Sequence, residues 1–136
     1  MAVQLLTPEG MFQPVPYAHV SVATGSRHVH VAGQIARTAD GEPVAPGDLR
    51  GQLAHAMRST ARGLAGAGAT FADVVRLRIF LKDWQPEMYA DFVAGLEDIA
   101  EELALPTPLP PLSAIGVDYL FEPDVLVEVE AYAVLD

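Results

Sequence analysis

The sequence predicts an α+β fold: a mostly antiparallel, six-stranded sheet with two helices packed on one face. Two long stretches carry apolar residues at helical spacing, and six shorter ones read as strands. They run strand, strand, strand, helix, strand, helix, strand, strand. Two amphipathic helices in a chain this short must bury their apolar stripes against a single sheet. The 136 residues fit one domain spanning 1–136, and 51% hydrophobic against 19% charged residues supports a sizeable core without staples and argues against disorder.

Val3 to Leu6 is a short edge strand stopped by Thr7-Pro8-Glu9-Gly10. Pro14 and Pro16 hold the chain extended before Tyr17. Val20 to Ala23 and Val29 to Ala32 read as strands joined by a glycine-containing hairpin at Thr24-Gly25-Ser26. In the second of them, His28 and His30 share one face and Val29 and Val31 the other. The first helix starts near Asp48, an N-cap residue. It carries Leu49, Leu53, Ala56, Met57, Thr60 and Leu64 on one stripe and ends at Gly66 and Gly68. From Val74 to Leu81 the pattern alternates, with Val75, Leu77, Ile79 and Leu81 opposed to Arg76 and Arg78, as in a half-buried strand.

Pro86 suits the first turn of the second helix, whose stripe is Tyr89, Phe92, Leu96, Ile99 and Leu103. Its acidic side, with Glu87, Asp91, Glu97, Asp98, Glu101 and Glu102, reads as a solvated surface. Four prolines between Pro106 and Pro111 exclude helix, and Ser113–Val117 and Val125–Val134 read as the last two strands. The sheet face away from the helices also has apolar residues, and no chain is left to cover it. A second subunit is expected to do so, which predicts a homo-oligomer.

Composition narrows the function. With no cysteine, disulfide and thiolate chemistry are excluded, and a cytoplasmic location is the natural expectation. No apolar run reaches membrane-spanning length, and no basic segment followed by an apolar one marks a signal peptide, so no membrane association is expected. A net charge of −10 with scattered cations repels phosphate backbones, so no nucleic-acid partner is expected. His28 and His30 lack an evident third ligand, so no metal is expected. Ser59 and Thr60 lack a paired base, which leaves no nucleophilic triad.

Several segments, in order, carry a resemblance. Pro16-Tyr17 is similar to a Gly-Pro-Tyr segment, Val31-Ala32-Gly33-Gln34-Ile35 to a strand ending Ser-Gly-Gln, and Asp73-Val74-Val75 to Leu81-Lys82-Asp83 to a strand closing on Lys-Asp or Thr-Asp. Val127-Glu128-Val129-Glu130-Ala131 is similar to a closing Val/Ile-Glu-Ile-Glu-Ala strand. All four belong to the Rid (RidA/YjgF, reactive intermediate deaminase) family, and the resemblance covers nearly the whole chain. It implies a chorismate-mutase-like fold assembled as a homotrimer, with a small-molecule cleft at each subunit interface and no metal or organic cofactor.

In the family's deaminases an arginine at the start of the penultimate strand grips the substrate carboxylate. A glutamate in the last strand positions the water that attacks an imine carbon. The resemblance puts Glu128 at that glutamate and Leu112, after Pro110-Pro111, at that arginine. Leucine cannot replace two charge-assisted hydrogen bonds worth about 1.5–3 kcal/mol each. A 2-imino acid is therefore expected to bind poorly unless Arg27, Arg37 or another cation enters the cleft. Ala32, where many members have serine, departs in the same direction.

Glu128 is thus the candidate catalytic residue; Glu130, two residues on, shares its strand face. Tyr17, Ala32, Gly33, Leu112, Ser113, Ala114 and Tyr119 are the candidate ligand contacts, with Tyr119 and Phe121 flanking the last turn. For Gly33 a simple turn role is the alternative. Three functions stay open: a ligand-binding trimer without the usual deaminase activity, an imine or enamine deaminase with a relocated anion anchor, and a structural or interaction trimer.

Overall fold

The computed structural model of the protein describes residues 3–136. Strands β1 (Val3–Leu6), β2 (Val20–Ala23) and β3 (Arg27–Gln34) precede helix α1 (Leu49–Gly66). Strand β4 (Val74–Lys82), helix α2 (Tyr89–Ala100), and strands β5 (Leu112–Val117) and β6 (Val127–Leu135) follow. The α+β class and the element order match the sequence reading.

The strands do not form one six-stranded sheet. β1 and β2 pair antiparallel as a two-stranded sheet, and the other four are ordered β3-β6-β4-β5. The larger sheet is antiparallel except between β4 and β5, which are parallel because α2 carries the chain back across the sheet between them. A 2.7 Å bond from Ser21 Oγ to the Val75 carbonyl ties the small sheet to the large one.

The expected hairpin at Thr24-Gly25-Ser26 is not formed. β2 pairs with β1, whereas β3 pairs with the C-terminal strand from Arg27 opposite Leu135 onward. Gly25 marks a close approach instead: a Cβ there would overlap the Leu135 carbonyl oxygen. The link crosses from one sheet to the other, and only glycine lets its backbone lie against β6.

The core lies between the four-stranded sheet and the helices. β6 turns Val127, Val129, Ala131 and Ala133 inward, and β4 turns Leu77, Ile79 and Leu81 inward. A bulge between Val74 and Arg76 brings Val74 into the core in place of Val75. Asp48 caps α1 by accepting a 3.0 Å bond from the Gly51 amide. All six residues of the predicted α1 stripe are buried. The helix stops with Gly68 at a positive φ and the Ala69 amide bonded back to the Leu64 carbonyl.

The second helix differs in detail. Pro86 begins a 3-10 turn, Pro86–Met88, and α2 proper starts at Tyr89. Phe92, Leu96 and Ile99 are buried, Leu103 lies past the helix end, and Tyr89 is 54% exposed. The acidic side is not purely solvated. Arg50 of α1 donates two bonds to Asp98, at 2.6 and 2.7 Å, and Arg58 two to Glu102, both 2.9 Å. These paired forks align the helices, although water around them limits what each adds to stability.

The face away from the helices is mixed and not largely apolar. Arg76, Arg78, Glu128, Glu130, His30 and Tyr132 lie on it beside Phe80 and Ile115. The face is therefore less apolar than the sequence led one to expect, although Phe80 and Ile115 do lie on it. Alternation places charges there, on the side opposite the helices.

Candidate functional site

Register sets the neighbours on this outer face. Glu128 pairs with Phe80, which pairs with Ile115; one step along, Glu130 pairs with Arg78, which pairs with Ser113. The next step puts Tyr132 between His30 and Arg76. Arg78 Nε stands 3.6 Å from Glu130 Oε1, and Arg76 donates a 2.6 Å bond to Ser113 Oγ. His28 makes a short hydrogen bond with the Tyr132 hydroxyl, and the His30 ring stacks on Tyr132 with centroids 4.4 Å apart.

Glu128 lies against β3 where its register slips between Val31 and Gln34. Its carboxylate covers the Cα of Gly33 so closely that a Cβ there would overlap Oε2. Gly33 lies within a bulged strand and not in a turn, and it makes room there for Glu128. Burial raises the proton affinity of the Glu128 carboxyl above the ordinary glutamate value, and the neighbouring Glu130 charge raises it further. A carboxyl so placed is suited to accept a proton from water or hand one to a ligand.

Leu112 is on the other side of the sheet. It pairs with buried Leu77 and packs against the core, beside a hollow of about 610 Å³ bordered by Phe12, Pro16, Tyr17, Leu109, Leu112 and Ala114. Tyr17 is held there by a backbone bridge to Leu109. Ser113 also borders the hollow, but its hydroxyl is engaged by Arg76.

The candidate contacts thus fall into two groups. Ala32, Gly33 and Glu128 stand together at the β3–β6 pair. Tyr17, Leu112 and Ala114 stand at the β5 edge, separated from them by the sheet. Tyr119 joins neither group: it is 55% exposed, with Lys82 Nζ 6.0 Å from its ring centroid. Phe121, 74% exposed, is at a positive φ in the last turn.

Of the cations considered as substitutes for a missing arginine, Arg37 is already committed. It donates two bonds to Asp124, at 2.6 and 2.8 Å, and one of 2.6 Å to Glu122. The Asp124 bond, then the Glu122 bond, hold its proton more tightly than usual, and Arg37 keeps the Asp124 carboxyl below its ordinary range. Arg27 donates to the Asp136 carbonyl at 2.7 Å.

Two features of the site escaped the sequence reading. The first is Gln52, which is buried in α1, donates to the Asp124 carbonyl at 3.0 Å and accepts from the Leu126 amide at 2.9 Å. With Arg37 it braces the loop that feeds Glu128 into β6. In sequence it is one more polar helix residue. The second is the arginine pair on β4 beside the two glutamates of β6. Its only trace in the sequence was matching i, i+2 spacing in two strands.

Residues 12–135 match the family described as Endoribonuclease L-PSP. The crystal structure of a protein of unknown function of the conserved Rid family, YyfB from Yersinia pestis, superposes with a TM-score of 0.87 at 35% identity, covering 99% of this chain and 100% of that one. The chain belongs to the Rid family. Other members extend the comparison. The 3-aminoacrylate deaminase RutC of Acinetobacter baylyi is 29% identical over 98% of both chains. A YjgF-family structure from Mycobacterium tuberculosis has a TM-score of 0.60 at 27% identity, covering 98% of this chain and 100% of that one. Among the described residues, no helix of this Rid protein is long and apolar enough to cross a membrane, and no group of three or more His, Cys, Asp or Glu residues is placed to hold a metal ion.

Proposed function

We propose that the protein is a trimeric small-molecule-binding member of the Rid family that lacks the usual 2-imino acid deaminase activity. Its cleft forms where Glu128, Gly33 and Ala32 of one protomer meet Tyr17, Leu112 and Ala114 of the next. The supporting observation is the division of these residues between two faces of the same sheet. A ligand can touch both groups only if they come from different copies. The Leu112 side offers apolar walls and no cation, which suits an uncharged or weakly polar ligand. Glu128, with its raised proton affinity, is the carboxyl group of the cleft suited to exchange a proton.

The test couples the protein to an amino-acid oxidase that generates 2-imino acids and follows ketoacid release. No acceleration over buffer is expected, and Leu112→Arg is expected to create activity. Robust turnover by the natural sequence sinks the proposal. Light scattering checks the assembly, and a monomer removes the shared cleft.

A second reading is an enamine or imine deaminase with its anion anchor elsewhere. The deaminase named among the relatives favours it, as do two arginines on the face that carries Glu128. Release of ammonia from 3-aminoacrylate by the natural sequence, lost in Glu128→Gln, would select it.

A further inference from the structure

We propose that Arg76 and Arg78 form a binding site for a small oxyanion, a carboxylate or a phosphate group, on the outer face of the sheet and separate from the Leu112 hollow. The two arginines line a hollow of about 320 Å³ together with His30, Ala32, Glu130 and Tyr132. The inference does not depend on the function proposed above.

The chain has only eight Lys and Arg residues against eighteen acids, so the placing of each cation matters. Arg37, Arg50 and Arg58 each make two or more hydrogen bonds to carboxylates. Arg76 and Arg78 are treated differently. Among the described residues, Arg76 has one side-chain bond, to the neutral Ser113 hydroxyl, and no carboxylate partner. Arg78 has only Glu130, at 3.6 Å, longer than a hydrogen bond. A guanidinium carries five N–H donors in a flat fork that matches carboxylate and phosphate oxygens. Among the described residues, most of the donors of this pair have no acceptor.

The surroundings fit the same ligand. His30 and Tyr132, stacked on each other, supply a flat wall, and His30 adds its ring nitrogens. Glu130 is the one acid lining the hollow, and its loose contact makes it a resident competitor that an entering anion displaces from Arg78. Apposition of a second copy on this face would enclose the hollow and strengthen the contacts by excluding water.

The experiment titrates the intact protein with acetate, pyruvate and inorganic phosphate, following the arginine side-chain Nε–H signals by NMR. Saturable shifts of Arg76 and Arg78 are expected with at least one anion. Carboxylates acting alone, or phosphate acting alone, would name the ligand class. Arg78→Gln and Arg76→Gln should each weaken binding about tenfold or more, consistent with loss of one charged pairing. Glu130→Gln should tighten it. No saturable shift of either arginine with any of the three anions overturns the site, as does full binding by the two glutamine variants. If those variants do not fold, the signals of the natural sequence and of Glu130→Gln decide. The oxidase-coupled assay reports on the Glu128 cleft independently, so either inference can fail alone.

Discussion

Glu128 and Gly33 occupy one space: the carboxylate lies where any side chain at position 33 would begin. The contact joins the last strand to the bulge of β3 and turns the candidate acid toward the sheet's outer face. Gly33→Ala should leave the fold almost unchanged, because the obstructing atoms are the end of a flexible side chain. It should swing Glu128 toward water and bring its raised proton affinity back toward the ordinary glutamate value. A carbon-detected NMR titration of the Glu128 carboxyl measures this; an unchanged titration would mean that burial at Gly33 is not the cause.

Gly25 makes the contrasting case. There the obstruction is the backbone carbonyl of Leu135, which cannot rotate away. Gly25→Ala should destabilise the protein by about 1–3 kcal/mol, the cost of forcing atoms into a packed site. Urea unfolding gives the number, and a change below a few tenths would remove the close-approach account.

The pH dependence of stability should have two parts. Asp98, Glu102 and Asp124 have carboxyls held below their ordinary range, chiefly by hydrogen bonds from Arg50, Arg58 and Arg37 respectively. Their stabilisation is present above the ordinary carboxylate range and lost as pH falls through their depressed values. Glu128 acts oppositely: its contribution is complete below the ordinary glutamate value and lost as pH rises through its own raised value. Glu128→Gln should therefore gain thermal stability relative to the natural sequence as pH rises from acid to neutral, and parallel curves would contradict it.

Gln52→Ala should cost about 1–3 kcal/mol, because it leaves the Asp124 carbonyl and the Leu126 amide without the partner that now satisfies them. Hydrogen exchange should speed up at Leu126 before it does in the strands. Arg37→Ala should loosen the same loop from its other side, seen as faster exchange around Asp124, and exchange unchanged in both variants would show that neither side chain braces the entry to β6.

Within the core, Leu53→Ala and Ile79→Ala should each lower stability by about 2–5 kcal/mol, since both side chains are fully buried between sheet and helices. Denaturant titration separates this loss from any effect at the outer face, where Arg78→Gln should change stability little.

The sequence by itself determined the class, the order of elements, the α1 stripe, the middle of the α2 stripe, the Asp48 cap and the alternating faces of β4 from Leu77 onward. These follow from local rules: side-chain periodicity, capping chemistry and turn residues act over a few neighbours. It also located Glu128 on the last strand. Only the tertiary structure decided which strands pair, because pairing joins residues far apart in sequence and the same alternation suits several partners. That is why the glycine at Gly25 read as a hairpin and proved to be a crossing against Leu135. It is also why Leu112 and Glu128, close in sequence pattern, lie on opposite faces. Register set by β4 sends one toward the helices and the other away from them.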